Sequence, residues 1–184
     1  MGQTFLALVA IFIFSLFALN QHRSEAGTAQ SAVTGELELA ATEIARSELI
    51  DATMLSFDEA LVGSTAFTAD ANTLTPTAAF GAGGDAGETA ATRPDDVDDL
   101  DGTSFVVTVE RDDRTDRRVE FAVTYTIRYV VEDDPGNASP GGARTLAKEV
   151  SVTVEERVAG SVDRNPVRAT LSQVVTPAWS LLHG

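Results

Sequence analysis

From Phe5 to Leu19 the chain reads FLALVAIFIFSLFAL, with Ser15 its single polar residue. No side-chain charge occurs anywhere in residues 1–19. As a helix, such a run spans about 28 Å, close to the hydrocarbon thickness of a bilayer. A helix buried in a small soluble core shows polar residues every few positions, and this one has only Ser15. Either lipid or other apolar helices must cover it. Two fates are open: a signal peptide cleaved near Ser24-Glu25-Ala26, or a retained anchor. The first region carries no Lys or Arg, and the apolar run is long for a signal peptide. Arg23, the one nearby base, gives little vote on orientation.

The helical pattern continues past the apolar run. No proline occurs from Gln21 to Leu61, and apolar positions recur at helical spacing: Val33, Leu37, Ala40, Ala41, Ile44, then Ile50, Met54, Phe57 and Leu61. Glu36, Glu38, Glu43 and Glu48 fall mostly off that stripe. Gly35 costs about 1 kcal/mol against Ala. With Gly63-Ser64 as its stop, the helix would run about 60 residues, or roughly 90 Å. The organisation expected is therefore an apolar segment 1–23, an amphipathic continuation 24–62, a Gly/Ala/Asp-rich loop 63–103 and a β domain 104–184.

After Ser104 the period changes to two. Phe105, Val107 and Val109 alternate with Val106, Thr108 and Glu110. Beyond a turn at 112–116, the residues Val119, Phe121, Val123, Tyr125, Ile127, Tyr129 and Val131 alternate in the same way. That pattern predicts a long antiparallel strand with one buried face. DDPGNASPGG (133–142) reads as a hairpin loop, Val150, Val152 and Val154 as a third strand, and Val167, Ala169 and Leu171 as a fourth. The expected fold class is α+β, a long N-terminal helix packed on a four-stranded antiparallel sheet.

Composition removes most activities. Lys plus Arg number 13 against 28 Asp plus Glu, a net charge of −15 that repels phosphate and excludes nucleic acid as a partner. There is no cysteine, and His22 and His183 lie beside the apolar run and at the C-terminus. Neither placement suits a zinc cage or a catalytic triad, and no nucleophile–base pair stands out, so no enzyme activity is expected. Lys148 is the only lysine, beside twelve arginines and fifteen aspartates. Such a surface suits high salt, and GC-rich codon usage gives the same bias.

Asp95, Asp96, Asp98, Asp99 and Asp101 put five carboxylates within seven residues. Hard oxygen donors at this density make Asp96, Asp98, Asp99 and Asp101 candidate calcium ligands, although the EF-hand register fails because Thr108 stands where its glutamate belongs. The alternative is a solvated acidic loop without any cofactor. GAGGDAGETAAT (81–92) has neither the preceding strand nor the lysine of a phosphate-binding loop. Asn137-Ala138-Ser139 fits the glycosylation sequon but is followed by Pro140, and Trp179 reads as packing at a sheet edge.

The order of these elements resembles type IV pilins and pseudopilins. DDVDDLDG (95–102) is similar to a segment that precedes the first strand in some minor pilins, including those of mannose-sensitive haemagglutinin pili. AKEVSVTVEE (147–156) and VRATLSQVVTP (167–177) resemble their third and closing strands. The resemblance implies a structural subunit of a pilus-like filament or secretion pseudopilus. It would sit in the inner membrane before assembly and pack afterwards against copies of itself or other pilin-like subunits, with the β domain outside the cytoplasm and, once assembled, at the cell surface. The assembly helix would present Phe5, Ala7, Ala10, Phe14 and Leu19, and Gly2 is the candidate leader-processing position. The chain departs from the family in lacking a basic leader. It also lacks glutamate at the fifth mature position, where Phe5 or, after cleavage at Gly2, Ala7 would stand; this fits an atypical, minor or tip subunit. The alternative is a single-pass anchored β domain that binds a ligand or calcium and never polymerises.

Overall fold

The computed structural model describes residues 2–62, 70–81, 94–110, 118–131, 133–158 and 164–177. The chain divides into two units, Met1–Leu39 and Ala40–Gly184. Helix α1, Gly2–Thr53, supplies the first unit and opens the second. The Gly-rich stretch after Gly81, the turn at 112–116, Trp179 and His183 lie outside the described residues.

In the first unit the apolar side chains from Phe5 to Leu19 point outward all round the helix, with exposures between 38% and 71% for the large ones. By length and composition this helix is able to cross a membrane. Ser15 donates its hydroxyl to the Ile11 carbonyl at 2.8 Å, so the one polar side chain of the run is satisfied within the helix. Charged and amide side chains begin immediately after, where Gln21 and His22 both reach Glu25.

In the second unit, residues 40–53 of α1 cover an antiparallel sheet. Its strands are β1 (Ser104–Glu110), β2 (Arg118–Val131), β3 (Asp134–Ala138), β4 (Lys148–Arg157) and β5 (Arg168–Val175). The order is β1-β2-β4-β5, with short β3 paired to the end of β2. The period-two pattern sets the faces. Phe121, Val123, Tyr125, Ile127 and Tyr129 of β2, with Val150, Val152 and Val154 of β4, are buried. The opposite face is polar, with Thr153 and Thr170 hydroxyls 3.1 Å apart and Arg128 ion-paired with Glu149.

Three expectations are corrected. The helix ends at Thr53 rather than near Leu61, and Glu59–Leu61 form a separate 3-10 turn. No glycine or proline stops it. Instead Met54 and Leu55 close tighter bonds to Asp51 and Ala52, and Ser56 leaves the helix to bridge Asp96, donating to the Asp95 carbonyl and accepting from Val97. Tertiary pairing overrides helix propensity here. Second, the buried stripe is Ala41, Ala45, Leu49 and Ala52, while Ile50 and Met54 face outward. Small residues let the helix approach the sheet closely. Third, the segment taken as a hairpin loop at 133–142 contains β3, which makes the sheet five-stranded; Asn137 of the sequon is exposed there and donates to Asp134.

The helix phase is checked by a pair of adjacent substitutions. Leu49 is 8% exposed and Ile50 53%. Leu49→Ala should lower the stability of the β domain by about 2–5 kcal/mol, whereas Ile50→Ala should stay within about 0.5 kcal/mol. Thermal melts of the full chain in detergent measure both, and equal losses would place the helix in another rotation.

Candidate functional site

The strand β4 alternates Lys148, Val150, Val152, Val154 and Glu156 on one face. That face is the buried one, so the chain's only lysine enters the core as the first inward residue of β4. It pairs across the sheet with Tyr129. Its side chain is 0% exposed. The ammonium donates to the Phe57 carbonyl at 2.7 Å, to Asp58 Oδ2 at 2.9 Å and to Asp98 Oδ1 at 2.5 Å. All three of its hydrogens are therefore used. The rings of Phe57, Phe80 and Tyr129 surround it, with centroids 4.6, 5.3 and 5.3 Å from Nζ. Their faces add cation–π attraction and keep water away.

The carboxylates arrive from two segments that have left regular structure. Asp58 follows the helix end and caps the Glu59–Leu61 turn, accepting from Ala60 N–H at 3.3 Å and from Thr75 N–H at 2.9 Å. The Tyr129 hydroxyl donates to the Thr75 carbonyl at 2.7 Å and lies 3.5 Å from Asp58 Oδ2. Asp96, Asp98 and Asp99 come from the acidic segment, which turns through a 3-10 helix at Asp98–Leu100. The Ser56–Asp96 bridge ties this segment to the residues after the helix. Gly81 closes it from the other side, donating to the Asp98 carbonyl at 2.9 Å. Its φ of +97° and the Asp101 carbonyl, 3.0 Å from where a Cβ would stand, reserve the position for glycine.

Read from the sequence, the acidic segment is a solvated loop or a calcium site; its burial overturns the first. Asp96, Asp98 and Asp99 are 0%, 1% and 3% exposed. Asp101 is set apart from them: its Oδ1 accepts from Ile127 N–H at 2.8 Å, serving the β2 backbone just past the start of β1. Among the described residues no group of three or more His, Asp or Glu side chains is arranged to hold a metal ion. The Lys148 ammonium contacts both Asp58 and Asp98.

Two carboxylates, Asp58 and Asp98, thus contact one ammonium, and Asp96 and Asp99 are buried in the same acidic segment as Asp98. Asp96 Oδ1 accepts from Asp99 N–H at 3.1 Å and Asp99 Oδ2 from Asp95 N–H at 3.3 Å. Asp96 Oδ2, Asp98 Oδ2 and Asp99 Oδ1 find no donor. Burying that much negative charge is too costly for every group to stay ionised. Burial first, and the Asp98 carboxylate second, push Asp96 up to about 9, against the pull of Lys148 and of the Asp99 N–H. Burial raises Asp98 as well, opposed by Lys148. Protonated, the buried Asp96 carboxyl gains a hydrogen-bond donor that its ionised form lacks. At the far end of β4, Glu156 meets Arg164 in a two-pronged ion pair and accepts from Val167 N–H at 3.2 Å. The Arg164 hydrogen bonds hold its carboxyl below the usual range.

The sequence reading missed Lys148 and Asp58. Lys148 was in fact legible, since it stands in step with Val150, Val152 and Val154 on the inward face. Nothing marked Asp58, which fell within an expected helix. The candidate assembly residues Phe5, Ala7, Ala10, Phe14 and Leu19 all belong to the exposed apolar helix of the first unit and take no part in this cluster. Comparison with family models, with curated proteins and with solved structures returns no match.

The proton on Asp96 has a signed consequence. In the unfolded chain Asp96 titrates near 3.9, so between that pH and about 9 the folded state holds one more proton. Its stabilising contribution is complete at low pH and is lost as the pH rises through the upper value. Asp96→Asn, which carries a permanent donor, should flatten this decline. Its melting temperature relative to the parent should be higher at pH 9 than at pH 5, and an unchanged difference would mean that Asp96 is ionised in the fold. A chelator at constant ionic strength is expected to leave the melting temperature unchanged; a fall would restore a calcium site at the acidic segment.

Proposed function

We propose that this chain is a pilin-like structural subunit that assembles through its apolar N-terminal helix into a type IV pilus-like filament or a secretion pseudopilus, with no catalytic role and no cofactor. The observation that carries the reading is the helix from Phe5 to Leu19, whose large apolar side chains are exposed on every side. An α+β unit with a helix on an antiparallel sheet, preceded by such a segment, is pilin-like in architecture. Before assembly lipid would cover the helix, and in the filament the same segment of other subunits would.

Pairing helices in lipid gains little from the hydrophobic effect, so close packing has to supply the attraction. Small residues permit it. Ala7 and Ala10, three apart, share a face of the helix. Further along, Gly27 and Gly35 sit inside the helix with nothing within 4 Å of an added Cβ. Each costs about 1 kcal/mol of helix stability against alanine. Among the described residues no contact accounts for them, whereas close approach by another subunit would. The reading that competes is a single-pass anchored β domain that stays monomeric, with the β domain outside the cytoplasm in both cases.

Ala10→Phe separates the two. It keeps the hydrophobicity needed for insertion and changes only shape. We expect the variant to fractionate with membranes at the parent level while sheared surface filaments, imaged by electron microscopy, disappear. Filaments of normal abundance would reduce the helix to an anchor. Phe5→Glu should be tolerated if a neighbour's amine lies within reach of that position.

A further inference from the structure

The Lys148 cluster contains more than an ion pair requires. An amine and two carboxyl groups meet behind three aromatic rings, with a third carboxyl, Asp96, buried in the same turn as one of them. The amine is in contact with the carboxyl, with Nζ 2.5 Å from Asp98 Oδ1. Among the described residues, Asp98 Oδ2 and Asp96 Oδ2 are both buried without a donor. Asp58 Oδ2 lies 2.9 Å from Nζ and is itself fixed by two backbone N–H groups through its two oxygens. Each reacting group is held by a separate piece of backbone: β4, the 3-10 turn and the segment after the helix.

We infer that Lys148 and Asp98 are a self-condensing pair, and that the folded chain joins Lys148 Nζ to Asp98 Cγ as an amide with loss of one water. The pair begins as ammonium and carboxylate. One proton crosses from Nζ to Asp98 Oδ1 over their direct contact, leaving a neutral amine and a neutral acid. Asp96 donates its hydrogen bond to the other oxygen and draws electron density from Cγ. The nitrogen lone pair forms the N–Cγ bond, and Asp58 takes the second proton from Nζ. The bond from Cγ to the protonated oxygen then breaks. The departing hydroxyl receives the proton that Asp58 collected and leaves as water. The nitrogen keeps one hydrogen, Asp58 and Asp96 end as they began, and no oxidant or outside reagent takes part.

The surroundings favour both rate and product. Holding amine and carboxyl together replaces a bimolecular encounter with a positioned one, an advantage of up to about 10⁵–10⁸ M in effective concentration. In open water an ammonium and a carboxylate stay apart as ions because both are well solvated. Here both are stripped of water, and condensation turns two buried charges into a neutral amide. The new N–H has Asp58 as acceptor, and the new carbonyl has Asp96 as donor. The rings that exclude water also oppose hydrolysis. The amide would tie the first inward residue of β4 to the segment that leads into β1, a covalent clasp across the fold.

The chain offers an unusually clean assay, since Lys148 is its only lysine. The full chain, purified in detergent and shown to melt cooperatively, is denatured and treated with a lysine-specific protease. An amide at Nζ removes the recognised side chain, so the chain should remain uncut. It should weigh one water less than expected from the mass of the Asp98→Ala variant after the residue difference is allowed for. Fragmentation should give a branched peptide joining the residues around Asp98 to those around Lys148. Cleavage after Lys148 at the full sequence mass would overturn the proposal. Asp96→Ala keeps both reacting side chains and removes the acid. Cleavage should return in this variant when it retains the β-sheet circular dichroism of the parent. A folded Asp96→Ala chain that resists the protease would remove Asp96 from the chemistry. Should the variant not fold, the protease and mass results on the parent chain decide alone.

Discussion

One ammonium group organises the core of the β domain. Lys148 is buried completely, and a buried charge survives only when paired and fully hydrogen-bonded. Its three partners come from two places, the Phe57–Asp58 corner and the Asp98 turn. Both segments therefore have to leave regular structure and approach the end of β4. The early end of α1, the Ser56–Asp96 bridge and the left-handed glycine at Gly81 are consequences of that demand. Replacing one partner would leave a charge unpaired in an apolar pocket, which is worse than losing the whole set together.

The cluster also alters how the acidic character of the chain is understood. A net charge of −15 suggests a protein whose carboxylates all face water. The densest run of aspartates does the opposite, sending Asp96, Asp98 and Asp99 inside. Surface carboxylates lose their mutual repulsion as salt is added, whereas groups shut behind Phe57, Phe80 and Tyr129 are barely screened. The internal pairing is consequently insensitive to the ionic strength that a surface of this composition suits. Its sensitive variable is the proton on Asp96.

Where periodicity alone decides structure, the sequence was readable. The alternation from Val119 to Tyr129 foretold β2, its faces and its antiparallel partners, failing only where the register shifts and Val130 is buried in place of Val131, and the uncharged run from Phe5 to Leu19 foretold the exposed helix. Legibility failed where a long-range contact outvoted a local pattern. Ile50 and Met54 extend a plausible helical stripe, yet the sheet selects the narrower row of Ala41, Ala45, Leu49 and Ala52. Phe57 and Leu61 are buried as the stripe suggests, but from a corner and a 3-10 turn rather than from the helix. The aspartates illustrate the same limit. Composition says that five acids in seven residues belong in water, and only the position of Lys148 on the inward face of β4 contradicts it. A single lysine in register with three valines was the available sign of a buried counter-charge.

The two units pose opposite problems to their surroundings. The β domain covers its own apolar face with residues 40–53 of α1 and pairs its buried ammonium from within. The apolar segment satisfies only its backbone and the Ser15 hydroxyl; its side chains have no partner in the first unit. In a chain of this kind the residues that set folding and those that meet a membrane or other subunits are separated along the sequence. Substitutions in the core should act on stability and leave the apolar helix as it is, while changes of shape at Ala7 or Ala10 should act on association and leave the β domain folded. The exposed apolar segment is left to pack against a membrane or other subunits, while the buried core of the β domain is made by its own residues.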